Sequence, residues 1–391
     1  DTDGRLATRA VRAALDSDPQ HRAVVPPLHL SANFAFDAPG VCGRFDYTRS
    51  GNPTRQHLAD ALADLEGGAG AVVTATGMAA VTVVAQLVSP GDVVVAPHDC
   101  YGGTQRLFKA LSRRLGFTVL WLDQTLPSSA EAARARRPRL VWVETPSNPL
   151  LRVVDIAAWA DVAHAAGGLC VVDNTFLSPA YQQPLALGAD AVVHSTTKFI
   201  NGHSDVVGGA VIARDADLAE ELGWWANCLG VTGAPFDAWL TLRGLRTLNA
   251  RLRVHEANAL ALVDVALRHP AAIGVHHPSL PTTSGHDIAR RQQTGWGSLV
   301  TLEVAGGREG AEAFVSGLRH FTLAESLGGV ESLVAHPATM THASMEEDAR
   351  REAGIHDGVL RLSVGIEAEE DLAADLTRAL DRVEVAACAR V

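Results

Sequence analysis

The chain of 391 residues is poor in lysine. Of its 33 basic residues, Lys109 and Lys198 are lysines and the others are arginines. A composition bias that puts arginine wherever charge alone is wanted accounts for most of this. A lysine that survives such a bias is a candidate for chemistry a guanidinium cannot perform, because its amine can lose a proton and act as nucleophile or base. Cysteine is also scarce. The five residues, at 42, 100, 170, 228 and 388, are odd in number and contain no C-x-x-C. That argues against a disulfide framework and a cysteine zinc site, and we expect a reducing, cytoplasmic location. The 16 histidines show no consistent ligand spacing, so no metal is expected. The longest strongly apolar window, 78–88, is broken by Thr82 and Gln86 and is far shorter than the roughly 20 residues a membrane span needs. The first twelve residues are polar with both charge signs, and nothing there reads as a secretory signal. No Lys/Arg block exists and the formal charge is −11, which excludes the electrostatic footprint of a nucleic-acid or anionic-membrane binder. No G-x-G-x-x-G occurs, which argues against a nicotinamide dehydrogenase.

What the chain does have is a hydrophobic fraction of 47%, enough for a sizeable core. Its length suggests two or three domains at about 100–200 residues each. Short apolar runs at 92–96, 117–121, 140–144, 169–173, 190–194 and 209–213 read as buried strands. Helix-like stretches at 77–88, 104–115, 130–135 and 156–166 lie between them, with Gly91, Gly116 and Gly167 at expected helix stops. This alternation predicts an α/β fold with a mainly parallel sheet covered on both faces. Residues 1–55 are rich in Pro and Gly and show little periodicity. Such a segment must lie on something, and a neighbouring subunit is the expected support. After about residue 250 the texture changes. A helix at 252–268 leads into a second α/β portion that ends in a helix at 369–385. We therefore expect three parts: 1–55, a large domain at 56–250 and a small C-terminal domain at 251–391.

Ligands of open α/β sheets bind outside the carboxyl ends of the strands. Asp173 closes one predicted strand, His194-Ser-Thr-Thr-Lys198 another, and Glu144-Thr-Pro-Ser-Asn-Pro149 a third. Thr74-Ala-Thr-Gly77 opens a helix, whose first amides make an anion site in principle. Taken singly, each has a plain reading as a turn or a cap. Together they match what pyridoxal phosphate requires. Its aldehyde needs an amine, its pyridine nitrogen a carboxylate, its phosphate N–H and O–H donors, and its ring an aromatic face.

Ser195-Thr-Thr-Lys-Phe-Ile-Asn-Gly-His-Ser-Asp-Val-Val-Gly-Gly209 resembles the lysine signature of the Cys/Met-metabolism pyridoxal-phosphate enzymes. So do Asp46-Tyr-Thr-Arg-Ser-Gly-Asn-Pro-Thr54, His98-Asp-Cys-Tyr-Gly-Gly103, Val171-Val-Asp-Asn-Thr-Phe176, Phe321-Thr-Leu-Ala-Glu-Ser-Leu-Gly-Gly-Val-Glu-Ser332 and Arg361-Leu-Ser-Val-Gly-Ile-Glu367. The likeness covers nearly the whole chain in order. Ser147-Asn-Pro-Leu-Leu-Arg-Val-Val-Asp155, Trp224-Trp-Ala-Asn227 and Gly230-Val-Thr-Gly233 resemble the γ-replacing members more than the lyases.

The resemblance implies the type I fold of pyridoxal-phosphate transferases, with a seven-stranded sheet in the large domain. It implies a homotetramer of dimers with shared active sites, and small amino-acid substrates as partners. Lys198 would hold the cofactor, Asp173 would pair with the ring nitrogen, and Tyr101 would stack on the ring and act as a base. Gly77, Met78, Ser195 and Thr197 would bind the phosphate, joined by Tyr47 and Arg49 of a neighbouring subunit. Arg361 would clamp the substrate α-carboxylate with Asn148 and Ser326 nearby. Asp46, Arg106 and Glu325 would shape the distal site. The implied reaction is γ-replacement, in which cysteine displaces the acyl group of an O-acyl homoserine (succinyl by resemblance). The alternative is γ-elimination, and a non-catalytic fold relative is a remote one.

Overall fold

The structure, a computed structural model, describes residues 4–343, 345 and 347–388. Seven strands form the large sheet, in the spatial order Gly70–Thr74, Gly209–Ala213, Ala191–His194, Leu169–Asp173, Leu140–Glu144, Val93–Pro97, Thr118–Leu122. Every pairing is parallel except the two made by Gly209–Ala213. The expected mainly parallel sheet is therefore present, with one reversed strand in it.

The strands are buried on both faces, which is why they read as continuous apolar runs. Alternate residues still serve different layers. Val141, Val143, Val172, Val192 and Ile212 join one core with helices Pro53–Glu66, Ile156–His164 and Pro235–Leu245. Leu140, Trp142, Val171, Val193 and Val211 join the other with Gly77–Ala85, Gly102–Leu115 and Ala216–Leu229. This period of two decides which strand-end side chain faces which layer.

A second sheet, of five strands, has the order Ala272–His276, Leu299–Val304, Val359–Ser363, Leu333–Ala335, Thr322–Leu323. Its own core packs Val300, Leu302, Leu360 and Leu362 against Leu372, Leu376 and Leu380 of helix Glu369–Cys388. Helix Leu248–Arg268 connects the two halves. The last residues of the predicted C-terminal domain, 389–391, lie outside the described residues, as do Ser344 and Glu346. Among the described residues, no helix is long and apolar enough to cross a membrane.

The first part of the chain is not featureless. It holds a short helix, Leu6–Arg12, and a two-stranded ribbon, Phe36–Ala38 with Val41–Cys42. Helix Pro53–Glu66 begins inside the stretch expected to be irregular. Asn52 caps it by accepting from the amides of Thr54 and Arg55, and Pro53 takes the first helical position, where a missing N–H costs nothing.

Candidate active site

The carboxyl ends of the parallel strands open into a cavity of about 590 Å³. Its walls bring together twelve of the residues singled out in the sequence: Gly77, Met78, Tyr101, Arg106, Asn148, Asp173, Ser195, Thr197, Lys198, Glu325, Ser326 and Arg361. Three others are elsewhere. Asp46, Tyr47 and Arg49 sit on the exposed N-terminal segment. There Asp46 accepts from Ser50 Oγ at 2.7 Å, and the Arg49 guanidinium donates to the backbone and side-chain oxygens of Asn227 at 3.0 and 2.9 Å.

Lys198 follows strand Ala191–His194 on the loop that returns to Gly209–Ala213. Its Nζ donates to Ser326 Oγ at 2.8 Å. Burial lowers its pKa to about 8, and the positive charge of Arg361 pushes the same way against Glu325 and Asp173. Ser326 reaches it from a left-handed backbone conformation, φ +80°, uncommon for a residue with a side chain. The other lysine is different in every respect. Lys109 is exposed on helix Gly102–Leu115, bonded to Gln105 one turn away at 3.2 Å.

Arg361 lies on the central strand of the small sheet and is 2% exposed. One terminal nitrogen donates to Asn148 Oδ1 and the other to the Ser326 carbonyl, both at 2.8 Å, while its buried Nε has no partner. A guanidinium so held, at a cavity wall and with a donor to spare, is ready for a carboxylate. The chain just after Lys198 and the turn that follows the strand of Arg361 are tied to one helix. From Leu248–Arg268, Arg251 donates to the Phe199 and Gly244 carbonyls at 2.8 Å each, His255 Nδ1 to the Val364 carbonyl at 2.6 Å, and Asn258 to the Gly365 carbonyl at 3.0 Å.

Asp173 ends its strand with Oδ1 accepting from the Thr175 amide at 3.0 Å, and Thr175 Oγ1 accepts in turn from the Ser195 amide at 2.9 Å. Burial raises the Asp173 pKa, opposed by Thr175, His194 and Lys198. Glu144 is its register partner on the adjacent strand and lines the same cavity. Burial first, then the charge of Asp173, pushes Glu144 up to about 8. Two buried carboxyls side by side are unfavourable until a cation arrives between them and the cavity. In the sequence Glu144 reads as the end of a strand, with no role implied. Its partner, the Tyr101 amide, is 43 residues away, so spacing carried no signal.

At the other end of the cavity, helix Gly77–Ala85 starts. Thr76 caps it through the Ala79 amide at 2.9 Å, and the first amides of any helix lack backbone acceptors. Gly77 is required there, since a Cβ would come within 2.9 Å of Ser195 Cβ. Thr197 Oγ1 exchanges hydrogen bonds with the Gly208 backbone, at 2.9 and 3.2 Å. The cavity thus offers helix-start amides and hydroxyls, an amine of reduced basicity, an edge with two carboxyls and the ring of Tyr101. This donor set fits pyridoxal phosphate.

The family comparison agrees. Residues 7–381 match the model of the Cys/Met metabolism PLP-dependent enzymes, and the chain belongs to that family. Within it, the chain is 55% identical to cystathionine γ-synthase of Escherichia coli K12, over 95% of this chain and 97% of that one. It is 42% identical to cystathionine γ-lyase of Dictyostelium discoideum, over 97% and 98%. Among solved structures it is similar to cystathionine γ-synthase from Xanthomonas oryzae pv. oryzae in complex with aminoacrylate and cysteine. There the TM-score is 0.96 and the identity 58%, covering 98% of this chain and 99% of that one.

Proposed function

We propose that this chain, with pyridoxal 5'-phosphate bound, joins an O-acyl-L-homoserine to L-cysteine, releasing L-cystathionine and the acyl carboxylate. The observation that carries the reading is the setting of Lys198: a half-buried amine of lowered basicity, between two strand-end carboxyls and a buried arginine with an unpaired donor. The relatives named cystathionine γ-synthase support replacement over elimination.

Pyridoxal phosphate, when bound, supplies an aldehyde that condenses with amines and a ring that takes up the electron pair left by a breaking bond. Lys198 holds it through Nζ. With a pKa of about 8, roughly a tenth of that amine is neutral at pH 7 before the cofactor arrives. With the substrate amine in its place on the cofactor, Lys198 would take the Cα proton and then the proton leaving Cβ, and would return both once the sulfur has added at Cγ, with Ser326 Oγ keeping Nζ aimed. The acyloxy group leaves Cγ as a carboxylate, and the cysteine sulfur takes its place there. Arg361, oriented by Asn148 and the Ser326 carbonyl, grips the α-carboxylate. Asp173 keeps the ring nitrogen protonated, and Tyr101 covers the ring and takes the proton of the incoming amine. The Gly77 and Met78 amides, with Ser195 and Thr197, hold the phosphate.

Asp46, Tyr47 and Arg49 belong to the neighbouring subunit's site in this reading. The exposed segment that carries them needs a surface to rest on, and a homotetramer of dimers supplies it. Arg106 and Glu325 stand at the cavity wall, where a succinyl ester would extend, with Arg106 the partner for its carboxylate. Three functional parts, 1–55, 56–250 and 251–391, and a cytoplasmic setting complete the reading.

The test is a substrate-pair assay. O-succinyl-L-homoserine with cysteine should yield cystathionine. Breakdown of cystathionine alone to cysteine, ammonia and a keto acid, with no condensation, would make the protein a γ-lyase instead.

A further inference from the structure

Glu144 is a buried titratable group that the proposed reaction does not use. It is 7% exposed and stands on the same sheet layer as Asp173, at matching register on the adjacent strand. Its two oxygens are engaged separately. Oε1 accepts from the indole Nε1 of Trp142 at 3.0 Å, and Oε2 accepts from the Tyr101 amide at 2.8 Å. Trp142 is fully buried and wedged edge-on against Phe108, so Oε1 is held from rigid core. Tyr101, by contrast, is 43% exposed and begins helix Gly102–Leu115 without a side-chain cap. Its ring lies over Gly103, where a Cβ would come within 2.5 Å of Tyr101 Cε1 and 2.7 Å of Met78 Sδ. The tyrosine backbone is therefore tied to the sheet by one carboxylate oxygen, and that carboxylate is next to the group assigned to the ring nitrogen.

We propose that Glu144 is a positioning residue for the cofactor site: it fixes Tyr101 over the ring through the Tyr101 amide and adds a second buried anion beside Asp173. The inference rests on the pyridoxal-phosphate reading of the cavity. The groups that act on Glu144 are Asp173 and Asp99, both anionic, with the Trp142 and Tyr101 N–H donors opposing them. Cys100, also buried, is kept a neutral thiol by burial first and then by the carboxylates of Glu144 and Asp99. A cation bound at this edge favours the ionised form of Glu144, and an ionised Glu144 in turn favours the protonated form of the lysine–cofactor linkage.

The experiment uses the holoenzyme, without substrate, and two variants. Glu144→Ala removes both the anchor and the charge. Glu144→Gln removes the charge and keeps one acceptor, which serves the Tyr101 amide at the cost of the bond from the Trp142 indole. The wild-type protein must first show the visible absorbance of a bound pyridoxal group, and its lack would sink the cofactor reading itself. Given that absorbance, the pH midpoint of its titration should fall by about one unit in both variants, because a buried negative charge is gone. The visible circular dichroism of the bound ring should fall by about half in Glu144→Ala and recover in Glu144→Gln. The kcat of Glu144→Ala should drop roughly tenfold, with KM changing less than about threefold, as expected when reactive groups are misplaced. A folded Glu144→Ala with the wild-type midpoint and wild-type visible dichroism overturns the proposal. If Glu144→Ala does not fold, an unshifted midpoint in Glu144→Gln does so alone.

Discussion

Two stretches of the chain treat apolar residues in opposite ways. Along the strand ends that frame the cavity, nearly every aliphatic side chain is buried, and polar groups are tied to named partners. In the segment 21–49 the reverse holds. Val24 is 71% exposed, Leu30 66% and Phe36 50%, and Tyr47 stands half in solvent. The first region is a finished interior. The second has the composition of an interior without the cover, and it carries three residues that the sequence assigns to an active site and the single chain leaves outside one. An exposed apolar strip of this length needs a partner surface. The lesson is that burial is finished around the cavity and not along this segment.

The sharpest way to break this comparison lies within the finished region. Lys198→Ala should abolish the visible absorbance of the bound cofactor and lower turnover by at least about a thousandfold, while Lys109→Ala should stay within about twofold of wild type. Equal losses in both would remove the distinction between a lysine in the cavity and a lysine in solvent. A smaller effect tests the unfinished region. Arg49→Ala should weaken cofactor binding by roughly tenfold, the loss of one charge-assisted contact. Allowing Arg49→Ala and Lys198→Ala chains to exchange subunits should restore wild-type affinity at some sites, because a Lys198-bearing site then receives an intact Arg49 from its neighbour. No restoration would confine Arg49 to its own chain. The gentlest effect is one of pH. Burial lowers Lys198, so its neutral, reactive form gains as pH rises toward about 8. Attachment of the cofactor to apoenzyme should quicken by up to about tenfold per unit below that value and level off above it. A flat rate between pH 6 and 9 would contradict a lysine of lowered basicity.

Much of the fold was legible because its strands are buried on both faces. The runs at 140–144, 169–173 and 209–213 coincide with observed strands, 92–96 and 117–121 are each shifted by one residue, and 190–194 starts one residue early. Strand Gly70–Thr74 has no counterpart among the runs read from the sequence, where its last residue, Thr74, was taken into the turn that opens the next helix. Helix Pro53–Glu66 escaped because Gly51 and Pro53 read as breakers, when Pro53 in fact opens the helix. In the site, Lys198 was conspicuous through the scarcity of its kind. The Glu144 anchor was not, because nothing in a sequence says that a strand-end carboxylate will bond an amide on a different loop. The tethering of residues 199 and 364 to helix Leu248–Arg268 was equally hidden, since it runs through backbone carbonyls that carry no residue identity.

That tethering has a consequence of its own. The amine that must reach a substrate's α-carbon and the guanidinium that must hold its carboxylate come from different sheets, yet both loops are hooked to successive turns of a single rod. A substitution that bends this rod should therefore shift the chain just after Lys198 and the turn after Arg361 together.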